Sequence, residues 1–95
     1  MAEDLTVKRR VGLLEAEVDG ELVALNVDQG TCYGFNATAT RVWGLIEEPK
    51  RISELRESLL SEYDVDEETC DRQLRELLAE LEGDGLITME AAPSA

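Results

Sequence analysis

The hydrophobic period of this chain changes near Asn36, from short alternating runs to helical spacing. That change rules out both an all-β and an all-helical fold. Ahead of it lie three β-like runs: Val11 to Val18, Glu21 to Val27, and Thr31 to Phe35. The first two are separated by Asp19-Gly20 and the last two by Asp28-Gln29-Gly30. Asp-Gly tolerates the positive φ of a tight turn, so two successive hairpins are expected. They form a three-stranded antiparallel meander whose third strand is an edge.

After Phe35 three helices follow. Asn36 is the expected N-cap of the first, with Val42, Trp43 and Ile46 near one face and Pro49 closing it. Ser53 is the cap candidate for the second, whose stripe is Leu55, Leu59 and Leu60. Asp66 is the candidate for the third and longest. Its stripe is Cys70, Leu74, Leu77, Leu78 and Leu81, spaced 4, 3, 1 and 3 apart. Gly83 and Gly85 end that helix, and Leu86-Ile87 can pack back on the core.

The pattern is thus an α+β unit, a small antiparallel sheet followed by three helices. Along the third run Tyr33 and Phe35 share one face, while Cys32 shares the other with Gly34. The Tyr33/Phe35 face carries the larger apolar area and is expected to pack on the helices. Leu14, Ala16, Val18, Val23, Leu25 and Val27 are its expected companions. Residues 1–10, with the basic Lys8-Arg9-Arg10, read as a flexible, solvated arm, and residues 89–95 as a disordered tail.

Charge narrows the functional classes. With 22 acidic and 9 basic side chains in 95 residues the net charge is −13, and histidine is absent. Such a chain repels phosphate backbones and anionic lipid, and no apolar run approaches the ~20 residues of a membrane span. A cytoplasmic protein is the simplest expectation. The commonest general base and metal ligand is missing. Cys32 and Cys70 have no nitrogen partners for zinc. A disulfide between them is possible in principle but disfavoured by a reducing cytosol, and two small semi-buried apolar residues is the simpler reading. No phosphate loop or nucleophile–base pair appears, so neither an enzyme nor a metal or cofactor is expected.

Several segments in this order resemble the PqqD-like family of peptide-recognition domains. They are Tyr33-Gly-Phe-Asn-Ala-Thr-Ala-Thr-Arg-Val-Trp43, Ile52-Ser-Glu-Leu55, Tyr63-Asp-Val-Asp66, Leu77-Leu-Ala-Glu-Leu81 and Gly85-Leu-Ile87. The match covers roughly residues 11–88, and within the family it looks closest to the stand-alone leader-binding proteins of lasso-peptide biosynthesis. The resemblance implies a winged-helix-like fold. It also implies binding of the leader segment of a ribosomally synthesised precursor peptide, as a strand added to the third strand beside the third helix. Such leaders usually carry an aromatic residue and a proline a few positions apart. A leader peptidase and a macrolactam-forming synthetase are the partners implied.

Thr31, Cys32, Tyr33, Gly34 and Phe35 are then the expected backbone edge. Gly34 either permits close approach of another chain or marks a bend into the helix. Tyr33 is either a core aromatic or a rim residue, and Cys32 faces groove or solvent. Cys70, Gln73, Leu74 and Leu77 are the groove candidates on the third helix, with core packing as the alternative for its leucines. Arg72 and Arg75 lie within reach of the same groove or pair with Glu68, Asp71 or Glu76.

Rival readings differ in charge and partner. A DNA-binding winged helix needs a basic recognition helix, whereas residues 66–84 hold eight carboxylates against two arginines. An acidic adaptor using the same strand edge for another protein, or a PqqD-type chaperone in quinone cofactor biosynthesis, remains the alternative.

Overall fold

The computed structural model describes residues 5–91. The elements run β1 (Thr6–Arg9), β2 (Leu14–Val18), β3 (Glu21–Asn26), β4 (Thr31–Gly34), α1 (Ala37–Leu45), β5 (Lys50–Arg51), α2 (Ile52–Glu62), α3 (Glu67–Gly83) and β6 (Ile87–Glu90). The expected meander is present as an antiparallel sheet ordered β2–β3–β4, and three helices follow it in a winged-helix-like α+β arrangement. Asp19 and Gly20 both take positive φ, 54° and 83°, as a two-residue hairpin turn requires.

A second antiparallel sheet, ordered β5–β1–β6, lay outside the sequence expectation. Residues 6–9 of the expected arm form its central strand, and Val7 is fully buried there. The first four residues of that arm lie outside the described residues. Of the expected tail, Met89 and Glu90 complete β6, whereas residues 92–95 lie outside the described residues. Strand β1 joins two segments that each lie more than 40 residues from it in the chain: Thr6 is opposite both Arg51 and Glu90.

Helix starts follow local chemistry. The Asn36 side chain accepts the Ala39 N–H at 2.8 Å, and the Asp66 carboxylate accepts the Thr69 N–H at 3.2 Å. The second helix starts earlier than the expected Ser53 cap. Pairing of Lys50–Arg51 with β1 places the cap at Arg51, and Glu54 accepts the Arg51 N–H at 3.0 Å.

The Tyr33/Phe35 face does pack inward, with Phe35 buried, but its companions are not those expected. Tyr33 is opposite Ala24, and Ala24 is opposite Glu15. The inward set is therefore Glu15, Leu22, Ala24 and Asn26. Leu14, Ala16, Val18, Val23 and Leu25 share the outer face with Cys32 and Gly34. Leu14 is 57% and Val18 55% exposed. The inversion has a physical cause. Glu15, though its side chain stays partly exposed, is held on the inward face by Trp43, whose Nε1–H donates to it at 2.8 Å, and by Arg9 at 4.0 Å. Apolar area that β2 does not supply to the core comes instead from Val7 and Ile87 of the second sheet. Phe35, Val42, Trp43, Ile46, Leu55, Leu74, Leu78 and Leu81 complete the core between sheets and helices.

Candidate functional site: a cleft beside a free strand edge

Strand β4 has one neighbour, β3, so its other side is unpaired among the described residues. Phe35 N–H donates to the Leu22 carbonyl at 2.9 Å. In an antiparallel ladder, bonded and non-bonded pairs alternate, so Phe35, Tyr33 and Thr31 direct their backbone groups at β3. Cys32 and Gly34 therefore turn an N–H and a C=O each toward the free edge. Gly34 has ordinary negative φ, and a Cβ built there meets nothing within 4 Å. Neither a bend nor a contact within the chain requires glycine at this position.

Between this edge and α3 lies a cleft of about 440 Å³. Its walls are Tyr33 of β4; Asn36 and Thr38 at the start of α1; Leu59, Tyr63 and Val65 at the end of α2; and Cys70, Gln73, Leu74, Glu76, Leu77 and Glu80 of α3. Of the expected site residues, Tyr33, Cys70, Gln73, Leu74 and Leu77 come together here. Cys70 and Leu74 serve core and cleft at once, each with under 5% of its surface exposed, and Leu77 is half-buried.

The side chains of the remaining expected residues lie outside the cleft. Cys32 is exposed on the outer face, Phe35 is in the core, and Thr31 bonds to the end of α3. Neither Arg72 nor Arg75 lines the cleft. Arg75 Nε donates to Asp71 at 3.0 Å, where Asp71 also takes Arg56 of α2 at 2.9 Å. That pairing draws Arg75 away from the cleft and toward α2. The wall from α2, Leu59 through Val65, and the acids Glu76 and Glu80 were not in the expected set. Their one sequence signal was helical spacing, Glu76 and Glu80 standing four residues apart.

The cleft is an apolar floor with an acidic rim. Tyr33 Oη donates to Glu80 at 3.3 Å, and burial first, then the Glu80 charge, pushes the phenol above its ordinary pKa. Burial likewise raises the Cys70 thiol, which stays protonated and apolar at neutral pH. Cys32 and Cys70 are both free thiols. Among the described residues no group of three or more potential ligands could hold a metal ion, and no helix is long and apolar enough to cross a membrane.

Known proteins share this architecture. The structure "TbiB1 in Complex with the TbiA(beta) Leader Peptide" is 34% identical, covers 92% of this chain and 99% of that one, and superposes with a TM-score of 0.75. A second, "Lasso peptide synthetase B1 complexed with the leader peptide", is 22% identical over 86% of this chain and 96% of that one, at a TM-score of 0.74, and supports the fold. No curated protein sequence matches the chain. The sequence model described as "Coenzyme PQQ synthesis protein D (PqqD)" matches residues 21–87, from the start of β3 to the start of β6. With that span and the TbiB1 identity over nearly the whole fold, the chain belongs to the PqqD family.

Proposed function

We propose that this protein binds the leader segment of a ribosomally synthesised precursor peptide as a strand added to β4, over the cleft between β4 and α3. In this reading it then delivers the peptide to lasso-type processing enzymes, a leader peptidase and a macrolactam synthetase. It acts by holding the peptide, with no covalent chemistry of its own, and in the cytoplasm, where the precursor is translated. The observation that carries the reading is the juxtaposition of an unpaired strand edge with an apolar cleft. TbiB1, the relative at 34% identity, is described in complex with a leader peptide, which supports it.

The two parts of the site have different duties. Four edge groups, on Cys32 and Gly34, can each form a backbone bond with a net value of about 0.5–1.5 kcal/mol. Those bonds give affinity but read no side chain. Selectivity falls to the cleft, where burying one aromatic or large aliphatic side chain contributes about 1.5–3 kcal/mol. Alternation sends every second leader side chain inward, so an apolar residue facing Leu74, Leu77 and Tyr63 is the recognised feature.

Titration of the ¹⁵N-labelled protein with synthetic TbiA(beta) leader peptide, and with the leader of its own precursor, tests this. The largest amide shifts are expected at Cys32 and Gly34, whose N–H groups are free. Cys32→Pro removes one edge donor without touching the β3 ladder and should weaken binding while the protein stays folded. Failure of both leaders to bind, or shifts confined to β2, would exclude the proposed mode.

A further inference from the structure

The C-terminus of α3 is fastened to the β3–β4 hairpin by an interlocked set of bonds. The helix ends on Gly85 at φ +73°, with Leu86 N–H donating to the Leu81 carbonyl and Gly85 N–H to that of Glu82. This is a Schellman closure, which turns the Gly85 carbonyl outward. That carbonyl accepts the Asn26 Nδ2–H at 2.7 Å, and Asn26 Oδ1 accepts the Gln29 N–H at 3.1 Å. Asn26 is the only buried polar residue among those described. Next to it, Thr31 Oγ1 donates to the Asp84 carbonyl at 2.6 Å. The fit leaves no slack: a Cβ on Gly85 would stand 2.6 Å from Asn26 Nδ2 and closer still to Gln29.

We infer that Asn26 and Thr31 are positioning residues of the peptide cleft, setting the separation of α3 from the free edge of β4. The inference rests on the leader-binding reading above. Helix α3 packs chiefly on α2 and β6, elements outside the β2–β3–β4 sheet. Among the described residues, the side-chain bonds joining the β3–β4 hairpin to α3 all fall between residues 80 and 85. An added strand must lie about 4.8 Å from β4 and still press its inward side chains on α3. A shift of α3 by a fraction of that distance costs either the edge bonds or the cleft contacts. The clamp holds one end of the wall in register, while the other end, at Asn36 and Cys70, opens toward α2.

Thr31→Val tests this, because valine keeps the shape and strand preference but lacks the donor. Thr31→Ser is the rescue, and Thr31→Ala removes the donor if valine proves too bulky to fold. Two quantities are read beside the thermal melt: the Kd for TbiA(beta) leader peptide, and the proton NOE between the Tyr33 ring and the Glu80 side chain in the free protein. Expected for Thr31→Val is a folded protein with a weakened NOE and a Kd raised at least tenfold, both restored by Thr31→Ser. A purely structural bond would lower the melting temperature and leave NOE and Kd at wild-type values, and that result overturns the inference. If wild-type protein binds no leader, the functional reading fails on its own. The NOE comparison then still decides the clamp, an unchanged NOE in Thr31→Val rejecting it.

Discussion

The guanidinium of Arg9 lies 4.4 Å from the centroid of the Trp43 ring, and its Nε donates to the Trp43 carbonyl at 3.1 Å. A residue expected in a solvated arm thus caps one of the carbonyls that the end of α1 leaves unbonded. It also covers the face of the only tryptophan. Trp43 in turn stands 5.2 Å from Phe35, and Phe35 4.9 Å from Tyr33. One row of side chains therefore runs from the second sheet, through the core, to the rim of the cleft.

Loss of that first link should be costly, because the Arg9 side chain is partly buried. Arg9→Ala removes a cation–π contact and two bonds to one carbonyl, together about 1–2 kcal/mol. For a domain of this size that is a fall in melting temperature of roughly 4–16 °C. Arg9→Lys should recover only part, since an ammonium cannot stack and fork at once. A melt within about 1 °C of wild type for Arg9→Ala would mean that β1 does not depend on this contact.

Substitution on the two faces of the β2–β3–β4 sheet should give opposite results. Leu14→Lys and Leu25→Lys replace residues on the exposed outer face and should shift stability by no more than about 0.5 kcal/mol. Ala24→Leu inserts volume at a site with no exposed surface and should cost about 1–3 kcal/mol. Urea denaturation of the three variants separates these outcomes. Strong destabilisation by Leu25→Lys would contradict the register.

Two leucines three residues apart on α3 should separate stability from binding. Leu74 is 2% exposed, so Leu74→Ala should cost about 2–5 kcal/mol. Leu77 is half-buried at the cleft, so Leu77→Glu should leave the fold intact yet weaken leader binding by placing a charge on the apolar floor. Denaturation and leader titration on the same samples check both, and a fully folded Leu77→Glu that binds as wild type would remove Leu77 from the site.

Acid should dissolve the Arg56–Asp71–Arg75 cluster in a defined direction. Hydrogen bonds from Arg56 and then Arg75 hold the Asp71 carboxyl below its ordinary pKa. Its contribution is therefore complete above the unfolded value of about 3.9 and is lost as pH falls through the lower folded value. The stabilities of wild type and Asp71→Asn should differ at neutral pH and converge on acidification. A gap that stays constant to low pH would show that the ion pairs carry no net stability.

Local chemistry made much of this protein legible in its sequence. The Asp19-Gly20 turn, the caps at Asn36 and Asp66, and the Cys70–Leu81 stripe depend on neighbours within four residues, so each is visible without the fold. Family membership was legible from ordered motifs, as was one wall of the cleft. Strands β1, β5 and β6 were not, because two to four residues are too few to show alternation and each is stabilised by partners distant in the chain. Arg75 left two readings open in the sequence, groove or pairing on its own helix; the structure takes the pairing with Asp71, which also holds Arg56 of α2.

The sequence by itself determined the turns, the helices and the acidic charge that excludes a nucleic-acid reader, because those are properties of short windows and of sums. Only the tertiary structure decided which residues of β2 and β3 share the inward face with Tyr33 and how the end of α3 is fastened beside β4. Both turn on what Glu15 and Thr31 find when the chain closes: Trp43 and Arg9 for the one, the carbonyl of Asp84 for the other. A carboxylate or hydroxyl can take the inward side of a sheet once distant partners satisfy it, and no local pattern records that those partners will be there.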